Sequence, residues 1–341
     1  LGKMMINVTL YTRSDADNTE AILAELEALS DRFPHQVAVM HVDTDEALSA
    51  AYGGNTPLVE IGPYKLKYPF DGPRLQVALG AASDRKRQME EIGGEDHVRR
   101  VEQGKTITRS DRLTMWFSDH YMLVFNLVMA LFVGLPFLAP VLMKTGAEIP
   151  ATVIYKLYSP FCHQLGYRSW FLFGEQAAYP RALAEQGGIT YEEASGLAPD
   201  DLLGGREFYG NDRVGYKVAI CERDVAIYGS LLIFGLVFST VGKKLKPLHW
   251  ALWVLIGMVP MGLDGVSQLP SLLPLPEAWK WLPMRESTPL LRTITGALFG
   301  LATGWFGYPY VKESVDETRI FLLKKTAIAQ AQKDPAVPEV K

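Results

Sequence analysis

Cysteine is nearly absent: the 341-residue chain holds Cys162 and Cys221, and no thiol precedes them. A disulfide-dense scaffold is excluded, and so is dithiol chemistry anywhere in the first 161 residues. Charge of one sign does not dominate either. With a net charge of −4 and no Lys/Arg stripe interleaved by aromatics, the chain has no nucleic-acid groove, and no nucleic-acid partner is expected. The first dozen residues lack the apolar core, roughly 7–15 residues long, of a secretory signal, so the N-terminal part is expected to stay in the cytoplasm. A leading Leu in place of Met reads as a literally translated alternative start codon, with Met4 or Met5 near the start, and points to a bacterial source.

What is present is sharply divided. Residues 1–119 carry dense charge of both signs, whereas from Tyr121 onward uncharged apolar runs recur. The run 121–143 is closed by Lys144 and, at about 1.5 Å per residue, is long enough to cross a hydrocarbon core of about 30 Å. Further runs follow at 225–242, 251–269 and 293–311. Four in succession predict an all-α polytopic membrane domain with four transmembrane helices over residues 120–312. The loop from Gly242 to His249 carries Lys243, Lys244 and Lys246 without an acid, which marks it as cytoplasmic. Counting spans from that loop puts both termini in the cytoplasm of an inner-membrane protein, and the insertion 144–224 and segment 277–292 outside. Arg99, Arg100, Lys105, Arg109 and Arg112 ahead of the first span agree, and Trp116, Phe117 and Trp250 fit interfacial anchors. Gly296, Gly300 and Gly304 recur every fourth residue and predict a flat strip for another helix. The cytoplasmic tail 313–341 mixes Ile320, Leu322 and Leu323 with Lys324 and Lys325, so it extends the last helix or lies at the inner surface.

Residues 1–82 alternate strand and helix patterns. Strands are predicted over 6–12 and 37–42, helices over 19–30 and 45–52, a hairpin of 57–61 with 64–68 about Gly62-Pro63, and a closing helix over 74–82. Residues 83–119 read as a charged linker, broken at Gly93-Gly94, and a juxtamembrane helix. The order βαβαββα, with Thr56-Pro57 where that family places its cis-proline turn, resembles the glutaredoxin/thioredoxin-like fold over roughly residues 5–82. In that family the first strand leads into a Cys-x-x-Cys at a helix start. Here Ala16 and Thr19 fall at the positions of the thiols. The resemblance therefore implies an α/β thioredoxin-like domain without redox chemistry, a docking or structural module with Pro57 as its cis-proline.

Both cysteines fall on the expected outer side, beside span entrances. An even pair there can form a disulfide across an insertion that carries Glu192, Glu193, Asp200 and Asp201; two free buried thiols are the alternative. Their context is specific. Phe161-Cys162-His163-Gln164, Arg168-Ser169, Cys221-Glu222-Arg223-Asp224 with Tyr228-Gly229, Asp264-Gly265 with Gln268, and Arg285-Glu286-Ser287-Thr288 with Arg292 follow in that order. Together they resemble a prokaryotic membrane-protein family of unknown function, recognised by a Cys-His-Gln box, a Cys-x-Arg-Cys box, an Asp-Gly span and an Arg-Glu-Ser-Thr segment, over about residues 150–311. Where that pattern has a second cysteine, this chain has Asp224. The pattern's three cysteines and histidine imply a tetrahedral metal site, and Cys162, His163, Cys221 and Asp224 still offer four zinc ligands, although adjacent Cys-His is an awkward chelate. Disulfide, zinc and free thiols all stay open.

Asp264 lies within an apolar span, where a charge costs roughly 2.5–3.5 kcal/mol unless it is paired or wet. Gln268 shares its helix face, Arg292 is the expected counter-ion, and Arg285 with Glu286 would complete an intramembrane polar cluster. Such a cluster either fixes helix register or forms a ligand or ion site. Pro260, Pro270, Pro274 and Pro276 predict irregular backbone nearby. The expected function is that of a non-catalytic accessory or assembly subunit, meeting membrane-protein partners through the glycine strip and the cysteine-free domain. The alternative is a membrane enzyme or a cofactor- or metal-binding protein built on the outer Cys/His/Asp cluster. A transporter using Asp264 would want inverted repeats or paired broken spans, which the chain lacks.

Overall fold

A computed structural model describes residues 5–198, 201–241, 245–272 and 284–333, without the side chains at 94–103 and 105. Asp200, Lys243, Lys244, Pro274, Pro276, the side chains of Arg99, Arg100 and Lys105, and residues 334–341 lie outside the described residues. The chain divides into two compact units, residues 1–120 with 313–341, and residues 121–312.

The first unit is mixed α/β. Strand β1 (Ile6–Thr12), helix α1 (Thr19–Ala28), β2 (His35–His41), α2 (Glu46–Tyr52), β3 (Leu58–Ile61) and β4 (Tyr64–Lys67) build a four-stranded sheet of order β2-β1-β3-β4. β2 runs parallel to β1, while β3 is antiparallel to β1 and to β4. The alternation of a strand sends Val8 and Leu10 to one face, against Ile22 and Leu26 of α1, and Tyr11 to the other, against Met40, Val42, Leu48 and Leu58. Asp45 caps α2 by accepting from the backbone of Ala47 (2.9 Å) and Leu48 (3.2 Å). The Thr56–Pro57 and Tyr68–Pro69 peptides are cis.

Helix α3 (Gly72–Lys105) runs unbroken through Gly93 and Gly94, where the sequence predicts a break. Each glycine costs a helix only about 1 kcal/mol against alanine. The flanking Lys, Arg, Gln, Glu and Met residues favour a helix, and the pairs Lys86–Glu90 (3.8 Å) and Arg87–Asp84 (2.9 Å) add to it.

The second unit is helical, with a small sheet. It comprises most of α4 (Arg109–Lys144), then α5 (Glu148–Tyr158), β5 (Ser169–Leu172), α6 (Tyr191–Ser195), α7 (Leu202–Glu207), β6 (Gly210–Asn211), β7 (Gly215–Cys221) and α8 (Glu222–Thr240). After these come α9 (Trp250–Leu252), α10 (Val259–Val266), α11 (Leu269–Leu272) and the first half of α12 (Pro289–Lys333). Among the described residues three helical stretches are long and apolar enough to cross a membrane: α4, α8 and the run Trp250–Ser271. The fourth expected span falls in α12, where glycine, threonine and tyrosine dilute the apolar content. Between α9 and α10 the helix widens into a π-helical turn, Trp253–Met258. Pro260, which lacks an N–H and crowds the carbonyl four residues back, accounts for the widening.

The insertion 144–224 is folded. β5, β7 and β6 pair antiparallel in that order over a core of Leu165, Tyr167, Phe171, Tyr179, Tyr191 and Val214. Its described acids have structural uses: Glu193 completes a capping box with Thr190, Asp201 caps α7 (2.8 Å to Gly204 N), and Glu192 meets Arg181 (3.7 Å).

The glycine strip of α12 packs on α8. A Cβ at Gly296 would stand 2.7 Å from the Arg223 carbonyl oxygen, and one at Gly300 would collide with Ser230 Oγ and the Ile227 carbonyl. On another side, Trp253 Nε1 donates to Thr303 Oγ1 (3.0 Å). In the first unit the later turns of α12 lay Ile320, Leu323 and Ala327 over the Tyr11 face of the sheet. Lys324–Glu60 (3.0 Å) and Arg319–Asp45 (2.7 Å) hold them there.

Candidate functional site

Strand β7 delivers Cys221 to the N-cap of α8. Its Sγ donates to Asp224 Oδ2 (3.1 Å), one turn on, and accepts from Asp224 N (3.5 Å). The turn after α5 brings Cys162 alongside, its buried Sγ accepting from Cys221 N (3.2 Å) and Gln164 N (3.5 Å). One donor atom from each of Cys162, Cys221 and Asp224 lies within 4.8 Å of the others, and both cysteines are free thiols. His163 is exposed and stands outside this group. The hydrogen bond with the neighbouring Cys162, and then burial, push the Cys221 thiol well above its usual range.

Gln164 holds the turn in place, adopting φ +55° and donating through Nε2 to Tyr155 O (2.7 Å) and Ala219 O (2.8 Å). Beneath it Lys217 is fully buried, its ammonium donating to Gln164 O (2.7 Å) and Arg206 O (2.6 Å). Desolvation pulls its pKa down to about 7.

A second cluster adjoins the first through the opening turn of α8. Asp264, nearly buried, pairs with Arg223 and with Arg285 (3.2 Å), and accepts from Ser287 Oγ (2.8 Å). Gln268 donates back to the Asp264 carbonyl (2.7 Å), while its Oε1 accepts from Arg292 (2.8 Å) and Arg168 (3.3 Å). Glu286, fully buried, pairs with Arg292 and with Arg168 (2.9 Å) and lies 3.9 Å from Arg181. The expected Asp264–Arg292 pair is therefore replaced. Arg223, the second residue of α8, reaches Asp264, and Glu286, just ahead of α12, takes Arg292. Among the described residues, both carboxylate oxygens of the buried Glu222 have no hydrogen-bond partner, nor does the Nε of Arg223 or of Arg292.

The chain is similar to the family described as Predicted membrane protein (DUF2085), whose model matches residues 213–306. It is also 25% identical over 188 residues to an uncharacterized protein of Methanocaldococcus jannaschii, an alignment covering 52% of this chain and 85% of that one. No solved structure matches it. The matched DUF2085 stretch holds Lys217, Cys221, Arg223, Asp224, Asp264, Gln268, Arg285, Glu286, Arg292 and the glycine strip; Cys162, His163, Arg168 and Arg181 precede it.

Sequence reasoning gave no role to Arg168, Arg181, Arg223, Ser287 or Lys217. For Lys217 a signal was present: a lone lysine in the otherwise apolar run Val214–Cys221. For the arginines it was weak, because each meets its partner only across the fold.

Proposed function

We propose that the chain is a four-span membrane protein carrying a metal centre made by Cys162, Cys221 and Asp224, for a soft divalent cation such as zinc. The mutual approach of those three donor atoms to within 4.8 Å carries the reading. Two thiolates and a carboxylate are a donor set zinc accepts, and a tetrahedral ion held by three side chains keeps one position for water or substrate. His163, exposed on the neighbouring residue, is not needed.

The fourth span of the proposal is the first half of α12. A helix packed on α8 through glycines and on the π-helical turn faces protein over much of its surface, and needs less apolar content than one facing lipid. Both termini would be cytoplasmic and residues 144–224 on the outer side, the exposed Lys246 loop setting the orientation. The first unit would be a thioredoxin-like module without redox function. Its sheet order and cis Thr56–Pro57 support that likeness, while Thr19, at a lost thiol position, is bonded to Thr12 (2.6 Å between hydroxyls).

An accessory role is the competing reading, but the glycine strip it relied on is engaged within the chain by α8, and one face of the cysteine-free domain, that of Tyr11, is covered by the tail. The test is elemental analysis of protein purified in detergent. About one zinc per chain is expected, lost in Cys162→Ser and in Asp224→Ala. A metal-free protein overturns the assignment, and thiols that only reductant opens to alkylation would then establish the disulfide.

A further inference from the structure

Helix α5 folds back along α4. The turn between them closes with Ala147 N donating to Leu142 O (2.9 Å), and at the far end of α5 Tyr158 OH donates to Phe132 O (3.0 Å). Positions 147 and 158 thus meet 142 and 132, so the 11-residue helix runs antiparallel beside α4 for its whole length. At 1.5 Å per residue that is about 16 Å. The Phe132 ring also meets Phe161 (5.7 Å) and Tyr228 (4.6 Å). Tyr228 stands six residues into α8, roughly 9 Å from that helix's start. The C-terminal end of α5 therefore lies as deep as the second turn of α8, a helix long and apolar enough to cross a membrane.

The two faces of α5 differ. Ala151, Ile154, Tyr155 and Tyr158 are buried against the unit, whereas Ile149 (82% exposed), Val153 (59%) and Leu157 (55%), followed by Phe161 (65%), form an open apolar stripe at helical spacing. Over the same depth α4 exposes Leu131 and Leu138, so the stripe continues the outward band of a membrane-crossing helix. A soluble surface has no use for four large apolar side chains in line.

We propose that α5 is a re-entrant half-helix whose Ile149, Val153, Leu157 and Phe161 face the acyl chains of the leaflet into which α4 emerges. Glu148 enters at headgroup level beside the end of α4, and the exposed Lys156, at the margin of the stripe, reaches back toward the headgroups by its long stem. The sulfurs then sit at the boundary of acyl chains and headgroups rather than above the membrane. The inference depends on α4 and α8 as spans and is independent of the metal centre.

Protein reconstituted into phosphatidylcholine vesicles would be labelled in parallel with an acyl-partitioning diazirine and with hydroxyl radicals, and both products mapped by peptide mass spectrometry. The diazirine is expected to modify residues 149, 153, 157 and 161 with efficiency within about twofold of Leu131 and Leu138, and the radicals to spare them. Radical modification of the stripe, or labelling of α4 and α8 with none of α5 by either reagent, as a covering protein would produce, overturns the proposal. No substituted variant is needed, so a folding failure cannot confuse the result.

Discussion

Three glycines of α12 provide a graded test of how closely it approaches α8. Alanine is favoured over glycine in a helix interior by about 1 kcal/mol, so the sign of each Gly→Ala change depends on what the new methyl meets. At Gly307 nothing lies within 4 Å, and Gly307→Ala should stabilise by up to about 1 kcal/mol. At Gly304 the nearest atoms are Phe234 Cδ1, Cγ and Cβ, at 2.9–3.2 Å; ring rotation cannot move the Cβ, but a shift of a few tenths of an ångström relieves the contact, so the effect should fall between those at 307 and 300. At Gly300 the obstacles are Ser230 Oγ and the Ile227 carbonyl, and backbone cannot yield without moving α8. Overpacking costs about 1–3 kcal/mol, which against the propensity gain leaves a net loss of up to about 2 kcal/mol. Unfolding midpoints in a fixed detergent, by SDS titration or by loss of the monomer peak on heating, should therefore rank the variants 307, 304, 300 from most to least stable. A Gly300→Ala protein as stable as Gly307→Ala would show that the two helices do not touch there, and the packed fourth span would lose its main support.

The buried charges give two further expectations. Glu286→Gln leaves Arg168 and Arg292 facing a neutral amide in a buried setting, and breaking such a pair costs about 3–5 kcal/mol; Asp15→Asn, at the exposed Arg13 pair, should cost under about 1 kcal/mol. Equal midpoints for the two variants would refute the network. Lys217, with its pKa lowered to about 7, holds fewer protons folded than unfolded between that value and the ordinary lysine value of about 10.4. Stability should therefore rise with pH across this window, by at most about 1.4 kcal/mol per unit from this one group. Lys217→Met should flatten that slope in a melting series from pH 7 to 10, and an unchanged slope would show that the lysine stays charged when folded.

How far the fold was legible depended on whether the signal was local. The β1 strand is a run rich in β-branched and aromatic residues, buried at every position but Asn7, and the structure ends it at the same residues, Ile6–Thr12. Three of the apolar runs appear as helices able to cross a membrane for the same reason: length and composition are properties of one segment. Gly93-Gly94 misled because a local helix breaker was weighed without its neighbours, which carry the helix through. The insertion was less legible. Its strand β5 takes its partner from some 50 positions away, Ser169 from Cys221, and no periodicity within either segment announces the pairing. The reversal of α5 is of the same kind, since only contacts with Phe132 reveal its depth.

At the candidate site, Asp264 and Gln268 were readable as a pair because they stand four apart on one helix, whereas one of the two arginines that reach Asp264 comes from position 223. That placement explains why a costly buried network adjoins the sulfurs. A centre that binds an ion must hold its donors to within about 0.5 Å, and the turn bearing Cys162 would not do so alone. Cys221 and Asp224 lie one turn apart on the start of α8. Between them, Arg223 is pinned on its side chain by Asp264, and its carbonyl is approached by α12 at Gly296, where a Cβ would not fit. Ion pairs of this sort add little net stability, because desolvation offsets most of the attraction. Their directionality is what a greasy contact would lack: they fix the rotation and height of the α8 start, and with it where the second sulfur and the carboxylate point.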